Sequence, residues 1–291
     1  MAMAAEVIRA FAPAKINLTV HITGKRDDGY HLLESLVVFA RDVGDHMTFA
    51  PASDLSLTVT GPLGDGVPTD GQNLILKAAE LLRNLRDVTR GAAITLDKHL
   101  PHGGGIGGGS SDAATTLKSL AQLWNVAPLT SAEALTLGAD LPVCLCAPAP
   151  TLMSGIGEIL QPAPALPNMW LVLVNPNIHI ATGDIFDLLS EAFGTDNPPM
   201  DALPDPMDID SYAIWQLEQR NDLTRPAAEI APEIVRIMSE FWAIDDYVDC
   251  DMSGSGSTCW GLFETQQDAE NAAKTLRQEF PDYWIKTTAI S

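Results

Sequence analysis

Basic residues are scarce. The 291-residue chain carries 17 Lys and Arg against 38 Asp and Glu, a formal net charge of −21. That deficit excludes the basic face of a nucleic-acid-binding protein and opposes docking on an anionic membrane. An anionic substrate would have to be captured by local features against the overall field. Cysteine is rarer still. Four are too few for a disulfide framework, and they read as small buried residues in a reducing cytoplasm. Cys144 and Cys146 read as sharing one face of a strand, with no second ligand pair to complete a metal site. His21, His46, His99, His102 and His179 show no metal spacing either. Long apolar runs are absent. Leu141 to Met153, the most apolar stretch, has 13 residues and three prolines, too short and broken for a bilayer span. Met1 to Ala14 has no apolar core of a secretion signal and contains Glu6 and Arg9. The expectation is a cytoplasmic protein without membrane or nucleic-acid partners, long enough for two modest domains.

Glycine, by contrast, is concentrated in one place. Six of the seven residues from Gly103 to Gly109 are glycine, within Pro101-His102-Gly103-Gly104-Gly105-Ile106-Gly107-Gly108-Gly109-Ser110-Ser111-Asp112. A strand-like run, Ala93 to Leu96, precedes the loop. Ala113, Leu117, Leu120 and Trp124 then recur at helical spacing and predict a helix over 110–124. Glycine lets backbone approach a ligand closely, and the following helix offers unpaired N–H groups and a positive dipole end. Together these make an anion site, and so long a loop suits a nucleotide polyphosphate. Ser110, Ser111 and Asp112 fall where cap and first-turn residues belong. A hydroxyl there either only caps the helix or also meets a phosphate or its Mg²⁺, and the two roles are compatible. No lysine follows Gly109, which excludes a Walker A loop. A GxGxxG pattern fits Gly103, Gly105 and Gly108, but in so glycine-rich a tract the match is nearly automatic. Asp97 to His102 separates the loop from its strand, and Leu123-Trp124-Asn125-Val126 lacks the acid of a dinucleotide fold.

Residues 7–60 read as successive strands. Ile16, Leu18, Val20 and Ile22 alternate with Lys15, Asn17, Thr19 and His21, predicting one buried and one polar side. Asn73 opens a helix with Leu74, Ala78, Leu81 and Leu85 along one side. Gln161 to Pro167, with three prolines, is the expected boundary between a domain over 1–160 and another over 168–291. In the second part, a strand at 170–174 and an acidic, proline-rich loop at 194–210 precede helices near 211–219 and 229–242. A strand, the Ser253–Ser257 turn, a strand, a helix over 267–279 and a last strand complete an α+β pattern.

Four separated segments together resemble the GHMP kinases. They are Ala12-Pro13-Ala14-Lys15-Ile16-Asn17-Leu18, Pro101 to Asp112, Gly138-Ala139-Asp140-Leu141-Pro142 and Gly254-Ser255-Gly256. The resemblance implies an α+β, two-domain GHMP kinase fold: an N-terminal domain like ribosomal protein S5 domain 2 and a ferredoxin-like C-terminal domain. It implies ATP-dependent phosphorylation of a small-molecule hydroxyl, with ATP as co-substrate and Mg²⁺, in a monomer or homodimer. Lys15-Ile16-Asn17 continuing to Gly24, Asp28-Gly29-Tyr30-His31, and Gly155-Ile156-Gly157-Glu158 resemble one branch in particular. In that branch the acceptor is a cytidyl diphosphate joined to methylerythritol, on the route to isoprenoids. The segment from Leu129 to Gly138 looks about one helical turn shorter than is usual in the family.

On their own, Asp140 reads as a turn residue at a helix end and Lys15 as a solvated edge lysine. The resemblance makes Asp140 the general base and Lys15 its partner. It assigns Pro101 to Ser111 to the phosphates, and Asn73, Leu74 and Lys98 to the adenine. Asn17, Tyr30, His31, Thr182 and Phe186 fall to the acceptor, its cytosine stacked on an aromatic. The competing readings are another family member acting on homoserine, mevalonate or a sugar, and an inactive ATP-binding module.

Overall fold

The computed structural model describes residues 7–290; residues 1–6, part of the N-terminal stretch considered above, and Ser291 lie outside them. The first part runs β1 (Ile8–Asn17), β2 (His21–Lys25), β3 (His31–Ala52), β4 (Leu55–Thr60), α1 (Leu74–Leu85), β5 (Gly91–Asp97), α2 (Gly108–Trp124), α3 (Ser131–Leu135), α4 (Leu141–Cys144), β6 (Thr151–Gly155) and β7 (Ile159–Pro162). The second runs β8 (Met169–Asn175), α5 (Thr182–Leu188), α6 (Ile209–Leu217), α7 (Thr224–Ile230), α8 (Glu233–Trp242), β9 (Tyr247–Met252), β10 (Cys259–Phe263), α9 (Gln266–Glu279) and β11 (Trp284–Ile290).

The 22-residue β3 organises the first sheet. It pairs antiparallel with β1, β2, β5 and β6, while β4 adds in parallel to β5 and β7 antiparallel to β6. The second sheet is antiparallel in the order β11-β8-β10-β9, the βαββαβ arrangement of ferredoxin-like folds. Side chains on β8 alternate between two cores. Leu171 and Leu173 pack with Ile16, Leu18, Leu36 and Trp260, between the sheets. Val172 and Val174 pack with Ile237, Phe241 and Leu276 beneath the helices of the second part. A third core lies between α1, α2 and β5. The architecture is α+β with the two sheets back to back, both faces of β8 buried.

Several expectations change here. Lys15, Asn17, Thr19 and His21 are not a solvated face, because each is at most 3% exposed. Period two separates the sides of a strand without saying which side meets water. On α1 the buried residues are Ile75, Leu76, Ala78, Ala79 and Leu82, and Leu85 is exposed. The apolar stripe is thus rotated by about one residue. Cys144 ends the short α4, so it and Cys146 do not share a strand face, and Cys146 is only partly buried. The first strand of the second part is followed by a helix, α5, that the sequence pattern did not signal. No helix among the described residues is long and apolar enough to cross a membrane.

Candidate active site

Both parts contribute to one cavity of about 1020 Å³. The C-terminal end of β1, the glycine loop, the start of α4, the N-terminal end of α5 and the turn after β9 all reach it.

The glycine loop is held from three sides. Ile106 is fully buried between the sheets, which pins the middle of the loop. Its carbonyl accepts from the Lys15 N–H at 2.9 Å. From the turn between β9 and β10, Thr258 N–H donates to Gly104 O at 3.0 Å, and Ser253 Oγ donates to Gly105 O at 3.0 Å. The same hydroxyl accepts from the Asn17 N–H at 3.1 Å, so one serine ties β1 to the loop. Most of these glycines are therefore dictated by protein contacts. A Cβ at Gly103 would lie 1.9 Å from His179 Nδ1, and one at Gly105, where φ is +73°, 2.3 Å from Ser253 O. Gly107 has φ +61° and caps α2 in the left-handed conformation, with no side-chain cap. The capping role expected of Ser110, Ser111 and Asp112 is not borne out, since α2 begins at Gly108 and all three lie inside it. Ser110 lines the cavity, whereas Ser111 is buried. Only at Gly109, among these glycines, does a Cβ meet nothing within 4 Å.

Behind the loop, Lys98 is buried between two carboxylates and is no surface lysine. Its Nζ donates to Asp45 Oδ2 at 2.5 Å and Asp112 Oδ2 at 2.8 Å. Asp45 Oδ1 also accepts the N–H groups of His99 and Leu100, which fixes the chain entering the loop. Burial disfavours the Lys98 charge, but Asp112 and Asp45 outweigh it and hold its pKa above the ordinary lysine value. Burial pushes Asp112 well above the usual carboxylate range, with Lys98 opposing. Asp112 Oδ1 is buried without a partner.

Beside Gly107 of the loop, Lys15 Nζ donates to Asp140 Oδ1 at 2.8 Å. Lys15 is buried; the Asp140 side chain is 44% exposed and leaves Oδ2 free for another donor. Asp140 precedes α4 but makes no side-chain cap, so its carboxylate is directed at Lys15 instead of its own helix. On the same side of β1, Asn17 Nδ2 donates to Ser35 Oγ at 2.7 Å while Oδ1 is buried and unpartnered. An unmatched buried acceptor facing a cavity is a ready site for a ligand hydroxyl.

At one end of the cavity the rings of His31 and Phe186 stack, 4.8 Å apart and 21° from parallel. His31 Nε2 lies 2.9 Å from Ser190 Oγ, and burial and then Lys25 lower the His31 pKa, which keeps the ring neutral at pH 7. Tyr30 beside it is 58% exposed, so it is no core aromatic. Thr182 Oγ1 lies 2.9 Å from Ser255 Oγ. At another part of the lining, Asn73 caps α1 by accepting from Ile75 N–H at 2.9 Å. Leu74, Val67, Pro68 and Leu96 give that region apolar walls. Thus every candidate residue except the buried Ile106 and Ser111 lines the one cavity. Sequence reasoning missed Asp45 and Lys25. Asp45 shares β3 with Glu34 and Asp42, and nothing local distinguishes it from them. Among the described residues no group of three His, Cys, Asp or Glu is placed to hold a metal.

The GHMP kinases N-terminal domain model matches residues 73–149, and the GHMP kinases C-terminal model matches 213–282. A 4-diphosphocytidyl-2-C-methyl-D-erythritol kinase of Jannaschia sp. (strain CCS1) is 49% identical over 287 residues, spanning 99% of this chain and 98% of that protein. One from Dinoroseobacter shibae is 50% identical over 97% of this chain and 95% of its own length. A crystal structure of a 4-(cytidine 5'-diphospho)-2C-methyl-D-erythritol kinase superposes with a TM-score of 0.78 at 32% identity, covering 98% of this chain and 99% of that one. A homoserine kinase from Cytophaga hutchinsonii shares the fold, with a TM-score of 0.69 at 14% identity and coverage of 100% and 96%.

Proposed function

Since the chain belongs to the GHMP kinase family, we propose that it transfers the γ-phosphoryl group of ATP to the 2-hydroxyl of 4-diphosphocytidyl-2-C-methyl-D-erythritol, a step toward isoprenoid precursors. The observation that carries this reading is the Lys15–Asp140 pair set beside the glycine loop in a cavity that also bears stacked aromatic rings. Phosphoryl transfer asks the protein for alignment and charge stabilisation more than for covalent chemistry. The free N–H groups of the first turn of α2 and the loop backbone hold the phosphates. Asp140 Oδ2 accepts the proton of the acceptor hydroxyl. Lys15 keeps that carboxylate charged and stabilises negative charge on the group in flight. Asn17 Oδ1 takes a hydroxyl of the methylerythritol, which orients the nucleophile. Tyr30, His31, Phe186 and Thr182 hold the cytidyl end. Asn73, Leu74 and Lys98 lie toward the adenine. Mg²⁺ supplies neutralisation of the β- and γ-phosphates when bound. Ser110 Oγ and the orphaned Asp112 Oδ1 are the oxygens on this turn that fit it.

Side-by-side turnover of the cytidyl acceptor, homoserine, mevalonate and galactose with ATP and Mg²⁺ tests the assignment. Phosphorylation of the cytidyl acceptor alone is expected. Faster turnover of another acceptor moves the protein to a different branch of the family, and ATP binding without transfer to any makes it an inactive module.

Gly109 permits a test of the phosphate cradle that leaves packing untouched. Alanine there stabilises the helix, by about 0.5 kcal/mol. Its methyl group, however, stands where phosphate must approach. Gly109→Ala is expected to raise the melting temperature slightly and weaken ATP binding about tenfold, roughly the loss of one charge-assisted hydrogen bond. Unchanged ATP affinity by calorimetry would put the phosphates elsewhere.

A further inference from the structure

Three lysines line the cavity, Lys15, Lys25 and Lys98, against the carboxylates of Asp112, Asp140 and Asp187. This local balance departs from the −21 of the whole chain. Two of the lysines are committed. Lys15 is bonded to Asp140, and Lys98 lies between Asp45 and Asp112. Lys25 differs, for its hydrogen-bond partner is a neutral hydroxyl, Ser190 Oγ, at 3.1 Å. It sits opposite His31 in the β2–β3 register. The Ser190 hydroxyl lies between them, 2.9 Å from His31 Nε2. A cation without a carboxylate partner therefore stands beside the ring stack at the cytidyl end. In an acidic protein, a ligand that brings two phosphates to this end meets repulsion from Asp187 and from the overall field. An exposed ammonium whose own contact is one hydroxyl can turn to such a ligand at little cost.

We propose that Lys25 is a specificity-determining residue that binds the diphosphate of the acceptor and so selects a nucleoside diphosphate ester over an uncharged nucleoside. This rests on the cytidyl reading of the His31–Phe186 end. It adds a residue that makes acceptor recognition electrostatic as well as aromatic. Lysine acts here as a mobile point charge able to follow a flexible diphosphate. The geometry also gives the residue a second function to be separated from the first, since Lys25 helps place Ser190 and, through it, His31.

Cytidine and CDP separate the two. Their dissociation constants are measured on the full-length protein with the ATP site filled by a non-hydrolysable ATP analogue, for the native chain, Lys25→Gln and Lys25→Arg. Glutamine keeps a donor for Ser190 and removes the charge. The native protein is expected to bind CDP more tightly than cytidine. Lys25→Gln should weaken CDP binding about tenfold, as for loss of one charge-assisted contact, with cytidine affinity unaltered. Lys25→Arg should restore most of it. The acceptor KM should rise with that loss while the ATP KM stays level. If Lys25→Gln keeps the native ratio of CDP to cytidine affinity, or loses both affinities in parallel, the proposal is wrong. In the parallel case the residue acts on the base through Ser190. A native protein that binds cytidine no better than adenosine overturns the cytidyl reading itself, and this inference with it.

Discussion

Asp140→Asn is expected to fold normally, bind ATP as before and lose between about 10²- and 10³-fold in kcat, the range for removal of a general base. The side chain is 44% exposed and joins no core cluster, so the change costs little stability. Asparagine keeps the shape but cannot take up the proton of the acceptor hydroxyl. It also leaves the buried Lys15 without its anion, which weakens the second half of the pair. Lys15→Met tests that half: it removes the charge while filling the buried space beside Gly107. A comparable fall in single-turnover rate is expected, again with little effect on ATP affinity. Rapid-quench kinetics with calorimetric ATP binding decide the matter. An Asp140→Asn protein within about threefold of native kcat would remove the carboxylate from the proton-accepting role and leave alignment by the loop as the main catalytic device.

An acceptor stripped of its cytidyl group should suffer more. With methylerythritol phosphate in place of the full acceptor, kcat/KM should fall by about 10³-fold or beyond, with kcat reduced as well as KM raised. The stack at His31 and Phe186 is remote from Asp140, and binding energy gained there is used to hold the hydroxyl in line with the γ-phosphate. One base–aromatic contact is worth about 1–3 kcal/mol in single-strand recognition. Adding the phosphate contacts accounts for the rest. Phe186→Ala should reproduce the stacking part with the full acceptor and leave ATP affinity alone. Efficient phosphorylation of the truncated acceptor, measured by the same assay, would mean that the hydroxyl is positioned without the nucleotide.

Much of the site was legible in the chain because its signals are local. Six glycines before a helical repeat can hardly be anything but a close-approach loop, and α2 begins within two residues of its expected start. The polar side of the Lys15–His21 segment was legible as a side and misread as solvated. What buries it comes from far along the chain: Met200 Sδ at 3.1 Å from Thr19 Oγ1, Pro198 O at 3.4 Å from His21 Nδ1, Ser253 at Asn17. Asp45 could not be found at all. Its role depends on Lys98 and the two N–H groups that follow it, more than 50 positions on. The glycines themselves carried a double message. Read as ligand contacts, three of the six turn out to be spaces left for His179, Asn175 and Ser253.

That last feature bears on how the protein is made. The hydroxyl joining β1 to the glycine loop belongs to a residue 148 positions after Gly105, whose carbonyl it bonds. At typical rates of synthesis the ribosome needs roughly 7–30 s to cover that interval. During it the glycine run is already exposed to a cell full of nucleotide, without the turn that shapes it. Nucleotide capture is thereby postponed until almost the whole polypeptide has emerged, and a chain stalled before Ser253 would carry the signature of an ATP-binding protein with no formed pocket to use it.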